Sequence, residues 1–313
     1  MKLMKAIRIH EYGGRETLRY EDAPVPEPKA GELLVRVKAA GVNPVDVHVR
    51  EGRLKELLGH ELPLIPGWDA SGVIEAVGEG VSKFDVGDAV FARPVTARQG
   101  TYAEYAVIHE GEAAFKPQTL DHIRAAAVPL AALTAWQALF EAGKLSEGQI
   151  VLIHGAAGGV GHFAVQFAMR AGARVLATAS ARNQEFVRRL GADEVIDYEA
   201  ARFEEAVDDV DIVLDTVGGE TQERSFGVLK EHGRLISVVG EPSQVLATAK
   251  NVRAQLLVAR PDGELLAEIC KMLDRGEVAP TIEVVLPLAE ARRAHELIES
   301  GHTRGKIVLN TIA

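Results

Sequence analysis

The sequence predicts a two-domain α/β protein: a strand-rich, barrel-like domain joined to a doubly wound parallel sheet. Three observations carry this expectation. Residues 150–171 read as a buried strand, a glycine turn and an amphipathic helix. From 174 to 259, short apolar strands alternate with helical segments, the pattern of a parallel sheet covered by helices. Before residue 125 the chain is rich in glycine, proline and β-branched residues, with strands at short spacing. A chain of 313 residues has room for two such cores.

The elements follow in order. Residues 32–39 alternate, with Leu33, Val35 and Val37 on one face of a half-buried strand. Residues 73–77 form another strand, closed by the turn Gly78-Glu79-Gly80. Residues 84–91 give a turn and then a strand. Residues 125–142 are alanine-rich and helical, interrupted at Pro129. The second domain then reads as strands at 150–153, 174–179, 194–197, 210–215, 234–239 and 254–259, with helices at 160–171, 183–190 and 220–230. Pro261-Asp262-Gly263 marks the exit, and a helix, strand, helix, strand tail is expected to rejoin the first domain.

The turn His154-Gly155-Ala156-Ala157-Gly158-Gly159-Val160-Gly161 has the composition of a dinucleotide fingerprint in the strand–turn–helix context that gives it weight. Ala156 and Gly158 let the backbone approach a pyrophosphate, and Gly161 lets the helix pack close. The helix start offers free N–H groups to phosphate. Ala156 stands where the fingerprint usually has its first glycine.

Composition narrows the partners. The net charge of −10 argues against nucleic acid and anionic membranes. No apolar run reaches spanning length, and Met1-Lys2-Leu3-Met4-Lys5 lacks a signal-peptide core, so a cytoplasmic location is expected. The single cysteine, Cys270, excludes an intrachain disulfide and a multi-cysteine zinc site. Its spacing with Leu266, Ile269 and Leu273 marks it as core.

Seven motifs together resemble the medium-chain dehydrogenase/reductase superfamily, and within it the zinc-independent quinone oxidoreductases. They are Ala39-Ala40-Gly41-Val42-Asn43-Pro44-Val45-Asp46, Pro66-Gly67-Trp68-Asp69-Ala70-Ser71-Gly72 and Val86-Gly87-Asp88-Ala89-Val90. The others are Gly100-Thr101-Tyr102-Ala103-Glu104-Tyr105, the glycine turn, Asp215-Thr216-Val217-Gly218-Gly219 and Arg304-Gly305-Lys306-Ile307-Val308-Leu309. The resemblance implies a GroES-like β-barrel catalytic domain (1–124 and 261–313) and a Rossmann NADP-binding domain (125–260), with the active site in the cleft between them. It also implies a homodimer, for which strand 254–259 is the expected paired sheet edge.

Metal-dependent relatives carry Cys where this chain has Asn43, and His-Glu where it has Trp68-Asp69. A catalytic zinc needs about three Cys, His or carboxylate ligands, so a metal-free site is expected. Without a Lewis acid, hydride from a nicotinamide can still reach a quinone or the β-carbon of an enone or enal, because conjugation spreads charge onto oxygen. By resemblance Asn43 lies near the nicotinamide ribose or the substrate oxygen; the other reading is a loop cap before Pro44. Asp46 is read as an N-capping residue. His48 stands where quinone oxidoreductases often have tyrosine; it is a candidate proton donor or a half-exposed helix histidine.

For the cofactor, Ala157, Gly158, Gly159 and Val160 are assigned to the pyrophosphate. Thr134 matches a family threonine at the nicotinamide end, and Thr216, Val217 and Gly240 follow strand ends that face the cofactor. Arg260 and Lys306 are cations that either reach the cofactor or are simply solvated. The second strand ends in Ser180-Ala181-Arg182-Asn183 with no carboxylate. Asp or Glu there would favour NAD; Ser180 and Arg182 instead suit the 2′-phosphate of NADP(H), and Tyr198 matches a family tyrosine near the adenosine. The expected function is NADPH-dependent reduction of quinones or activated C=C bonds. An enoyl-thioester reductase and a nucleotide-binding protein without turnover remain as alternatives.

Overall fold

The computed structural model describes residues 2–311. The chain forms two compact units, Met1–Leu130 with Arg260–Ala313, and Ala131–Ala259.

The first unit opens with β1 (Leu3–Arg8) and β2 (Arg19–Pro24), an antiparallel pair. Its centre is β3 (Glu32–Val42), on which Leu33, Val35 and Val37 are buried as the alternation requires. The helices α1 (Pro44–Arg50) and α2 (Lys55–Leu58) follow. Next come β4 (Ala70–Val77), β5 (Ala89–Ala92), β6 (Tyr105–His109) and β7 (Ala113–Phe115). β3 pairs antiparallel with both β4 and β6, and β5 joins β4 to β7.

The helices α3 (His122–Ala126) and α4 (Pro129–Trp136) are separated just before Pro129, as expected. Sequence reading ended the first domain at 124, but residues 125–130 belong with the first unit. Ala126 and Ala127 pack against Ala39 and Val308, and the Leu130 N–H donates to Asp69 Oδ1 at 2.6 Å.

The second unit contains β8 (Ile150–Ile153), α5 (Gly161–Arg170), β9 (Arg174–Ala179), α6 (Gln184–Arg189) and β10 (Glu194–Asp197). It continues with β11 (Val210–Asp215), α7 (Gly219–Ser225), β12 (Leu229–Ser237), α8 (Gln244–Ala249) and β13 (Arg253–Leu256). The sheet order is β10-β9-β8-β11-β12-β13, parallel throughout. The order reverses between β8 and β11, so the ligand crevice of such a sheet lies at the carboxyl ends of these two strands.

Two expectations change here. The helix expected to 230 ends at Ser225, and β12 starts at Leu229. His232 (φ +66°) and Gly233 break the alternation, which hides the first half of the strand. The last strand stops at Leu256 rather than 259, although the Leu257 N–H still donates to Ser237 O at 2.8 Å.

The tail holds α9 (Gly263–Asp274), β14 (Ile282–Pro287), α10 (Ala291–Glu299) and β15 (Lys306–Asn310). β15 pairs with β3, so the tail rejoins the first unit. Among the described residues no helix is long and apolar enough to cross a membrane.

Candidate active site

The second unit builds a phosphate-ready turn at the end of β8. Gly155 takes a left-handed φ of +63°, and a Cβ there would lie 2.5 Å from Thr216 Oγ1. Sequence reading did not single out Gly155. A Cβ on Gly161 would lie 2.3 Å from Gly155 O, so this glycine sets the close approach of α5 to the turn. At Gly158 the nearest atom is 3.3 Å away, which leaves room on that side of the turn. Gly158, Gly159 and Val160 are partly exposed at the start of α5, and Ala157 is buried beside them.

Asp215 ties the neighbouring strand ends together. Its Oδ1 accepts from the N–H groups of Val217 (2.9 Å) and Gly218 (2.8 Å). Its Oδ2 accepts from Ser237 Oγ and Gln222 Nε2, both at 2.9 Å. Gln222 also donates to Gly240 O at 3.2 Å. Thr216, Val217 and Gly240 are thereby held at the carboxyl ends of β11 and β12, with Val217 well exposed. His154 braces the other side, spanning from Thr178 Oγ1 (3.1 Å) to Ser225 Oγ (2.9 Å). Burial pushes its imidazole down to about 4, so it is a neutral strut.

Beyond β9, Ser180 precedes a short 3-10 turn on which Arg182 is exposed. Asn183 Nδ2 donates to Ser180 Oγ at 3.2 Å, which leaves the serine O–H to donate elsewhere. β10 ends level with this turn at Asp197, whose Oδ1 accepts from the Glu199 N–H at 3.0 Å. Tyr198 is exposed, and Thr134 is buried in α4.

The first unit holds a buried polar cluster. Asn43 precedes α1, but its side chain does not simply cap the loop. Asn43 Nδ2 donates to Asp69 Oδ2 at 2.8 Å, and Lys306 Nζ donates to Asn43 Oδ1. Lys306 also reaches Asp69 Oδ2 at 3.2 Å and Val42 O at 3.0 Å. Lys306 is only 3% exposed, which contradicts its reading as a solvated cation. Arg260, by contrast, is half exposed and pairs with Asp262 at 3.1 Å. Asp69 is fully buried; burial raises its pKa, and the Lys306 charge and the bonds it accepts oppose that rise.

Asp46 sits at the third position of α1, where its Oδ2 accepts from the Asn43 N–H (2.8 Å) and Tyr102 Oη (2.6 Å). The N-cap is therefore Asn43 rather than Asp46, which lies inside the first turn and bonds back to the cap, and the tyrosine contact was not foreseen. Burial pushes Asp46 up to about 7 against these two donors, and its Oδ1 has no partner among the described residues. The folded-state pKa is above the unfolded value of about 3.9. The folded chain therefore keeps this proton between about pH 4 and 7, and the stability that it contributes is lost as pH rises through that window. Asp46→Asn retains an acceptor and puts an amide where the proton would sit. Its stability relative to the native chain, measured in urea, is expected to grow from pH 4 to pH 8. A margin flat across that range would mean that the carboxyl titrates at its ordinary value.

His48 is half-buried on α1, and burial together with Arg53 lowers its pKa. At neutral pH it is an uncharged imidazole, able to offer an N–H but not a stored proton.

The residues 29–118 match the alcohol dehydrogenase GroES-like domain family, and 190–309 match the zinc-binding dehydrogenase family. The chain is 35% identical to the mitochondrial NAD(P)H oxidoreductase RTN4IP1 of Mus musculus, across 99% of this chain and 90% of that protein. It is 34% identical to the quinone oxidoreductase of Sus scrofa, across 98% of each. The solved quinone oxidoreductase of Coxiella burnetii superposes with a TM-score of 0.94 at 36% identity, over 99% of this chain and all of that one. The chain belongs to the medium-chain dehydrogenase/reductase superfamily, in its quinone oxidoreductase-like family. As a family member it is an oxidoreductase that works with a nicotinamide cofactor. The turn after β8 and the Asp215 network are the parts of the second unit suited to that cofactor.

Proposed function

We propose that this chain is an NADPH-dependent reductase that delivers hydride to quinones or to the C=C bond of enones and enals, without zinc. The observation that carries this reading is the Asn43–Asp69–Lys306 cluster. Where metal-dependent relatives offer thiolate, imidazole and carboxylate, this chain offers an amide, an indole and a carboxylate already bonded to an ammonium. That donor set does not suit a zinc ion. The names of the quinone oxidoreductase relatives support the acceptor class.

The bound reduced nicotinamide supplies the hydride. Ala157, Gly158, Gly159 and Val160 hold the pyrophosphate, and Thr216, Val217, Gly240 and Thr134 border the nicotinamide half. Ser180, Arg182 and Tyr198 border the adenosine half. Asn43 has a second amide N–H with no partner among the described residues, which is suited to the oxygen that gains charge as the acceptor is reduced. Lys306 on the amide oxygen fixes which end of Asn43 points where, and its charge strengthens that N–H as a donor.

The test is NADPH oxidation against quinones, enones, enals and enoyl-CoA, before and after dialysis against chelator. Turnover of quinones or enones, unchanged by chelator and with no stoichiometric zinc in the protein, is expected. Loss of activity with loss of one zinc per chain would overturn the metal-free reading. Turnover of enoyl-CoA alone would overturn the acceptor class.

β13 is the edge of the six-stranded sheet, and Val258 just beyond it is 78% exposed. A sheet edge open on one side, continued by exposed Val258, favours two-fold pairing with a second copy. Light scattering at micromolar concentration is expected to give a dimer that Leu256→Pro converts to monomer; a monomeric native chain would refute it.

A further inference from the structure

Arg93 follows β5 directly, is 5% exposed, and has a backbone N–H that donates to Glu112 O at 3.3 Å. Among the described residues no hydrogen bond or ion pair reaches its guanidinium, and Nε is enclosed without a partner. Burial lowers its pKa while Asp69 and Glu112 oppose the change, so both carboxylates lie close enough to act on it. A guanidinium stays charged in any protein setting.

The neighbouring anions are committed elsewhere. Asp69 serves Lys306, Asn43 and the Leu130 N–H. Glu112 Oε1 accepts from Arg98 at 2.6 Å and from the Val95 N–H at 3.2 Å. Glu112 Oε2 accepts from the His109 N–H at 3.1 Å. Lys306 and Asp69 balance each other, and Arg98 is shared between Glu112 and Glu32, so the nearby carboxylates offset the Arg93 charge from a distance while none of them hydrogen-bonds its guanidinium. A buried guanidinium left without hydrogen-bond acceptors is unfavourable. A planar oxyanion would satisfy the fork of donors. β4 and β5 pair antiparallel through Ala70 and Ala92, so Arg93 lies beside the register position of Asp69, a direct partner of Asn43, which puts that oxyanion in the neighbourhood of the Asn43 amide.

We propose that Arg93 binds an oxyanion carried by the electron acceptor, so that the preferred acceptors are enones or quinones bearing a carboxylate. This rests on the reductase reading above. The probes are a linear enone whose carboxylate lies two methylenes from the conjugated carbons, and the methyl ester of the same enone. The native enzyme is expected to show at least tenfold higher kcat/KM for the acid. In Arg93→Met the acid should lose at least tenfold and the ester should stay within twofold, with NADPH affinity unchanged. Arg93→Lys, which keeps charge but not the fork, should fall between. Equal use of acid and ester by the native enzyme would overturn the proposal. So would an equal loss on both in Arg93→Met, or an equal loss of NADPH affinity, which would assign the oxyanion to the cofactor. If neither enone is reduced, the reductase reading fails separately, and calorimetry with the saturated keto acid still decides. Binding lost in Arg93→Met supports the anion site, and no binding to the native protein overturns it. Arg93→Met removes an unpaired buried charge and keeps the stem, so it is expected to fold.

Discussion

Lys306→Met is expected to destabilise the chain by about 3–5 kcal/mol, the usual effect of stranding one partner of a buried ion pair, and to remove most of its turnover. Lys306 is the cation within salt-bridge distance of Asp69, and Asp69 is fully buried. With the ammonium gone, burial acts on Asp69 unopposed by that charge, and its carboxyl takes up a proton at higher pH than in the native chain. The sign follows. A folded-state pKa raised further above the unfolded value means stability retained at low pH and lost as pH rises. The gap between variant and native chain should therefore be small near pH 4 and widest above neutrality.

Asp69→Asn alone strands the lysine instead. The double variant strands neither, so its loss should be well below the sum of the single losses. Simple additivity in urea unfolding across the four proteins would show that the pair is not coupled. Turnover should not recover in the double variant, because Asn43 Oδ1 has still lost its donor. Full recovery would mean that Lys306 acts on stability alone.

What the sequence disclosed was local. The alternation of Leu33, Val35 and Val37 and the apolar run 150–153 have periods that need no distant information. The glycine turn announced itself by composition and context. The positive φ of Gly155 did not, because it depends on Thr216 crowding in from another strand end. The buried bonding of Lys306 was hidden for the same reason. Its partners Asn43 and Asp69 lie 263 and 237 positions earlier, so although Lys306 stood in a family motif it read only as a cation that reached the cofactor or was solvated. The motifs brought Asp69 forward as a replacement for a metal ligand, and Asn43 both as such a replacement and as a residue near the nicotinamide ribose or substrate oxygen. Their bonding to each other and to a third residue is a property of the packed sheet, where β15 lies against β3. Arg93 carried no signal at all, since an arginine beside a proline is ordinary until its burial is known.

The cofactor prediction turns on the end of β9. The native enzyme is expected to use NADPH at least tenfold more efficiently than NADH. The adenosine 2′-phosphate carries about −1.5 to −2 charges, and no acidic residue occupies Ser180-Ala181-Arg182-Asn183. One charge-assisted hydrogen bond from Arg182 is worth roughly 1.5–3 kcal/mol, or about 10- to 150-fold in affinity. Arg182→Glu removes that bond and adds repulsion, so the NADPH/NADH ratio of kcat/KM should fall to one or invert. Arg182 is exposed on a short turn, so thermal stability should stay near native. Ser180→Ala should give a change of the same sign but smaller, because the serine supplies a single neutral donor. The measurement is kcat/KM for each dinucleotide at saturating acceptor. Equal use of the two by the native enzyme, or an unchanged ratio in Arg182→Glu, would show that the phosphate is read elsewhere in the chain.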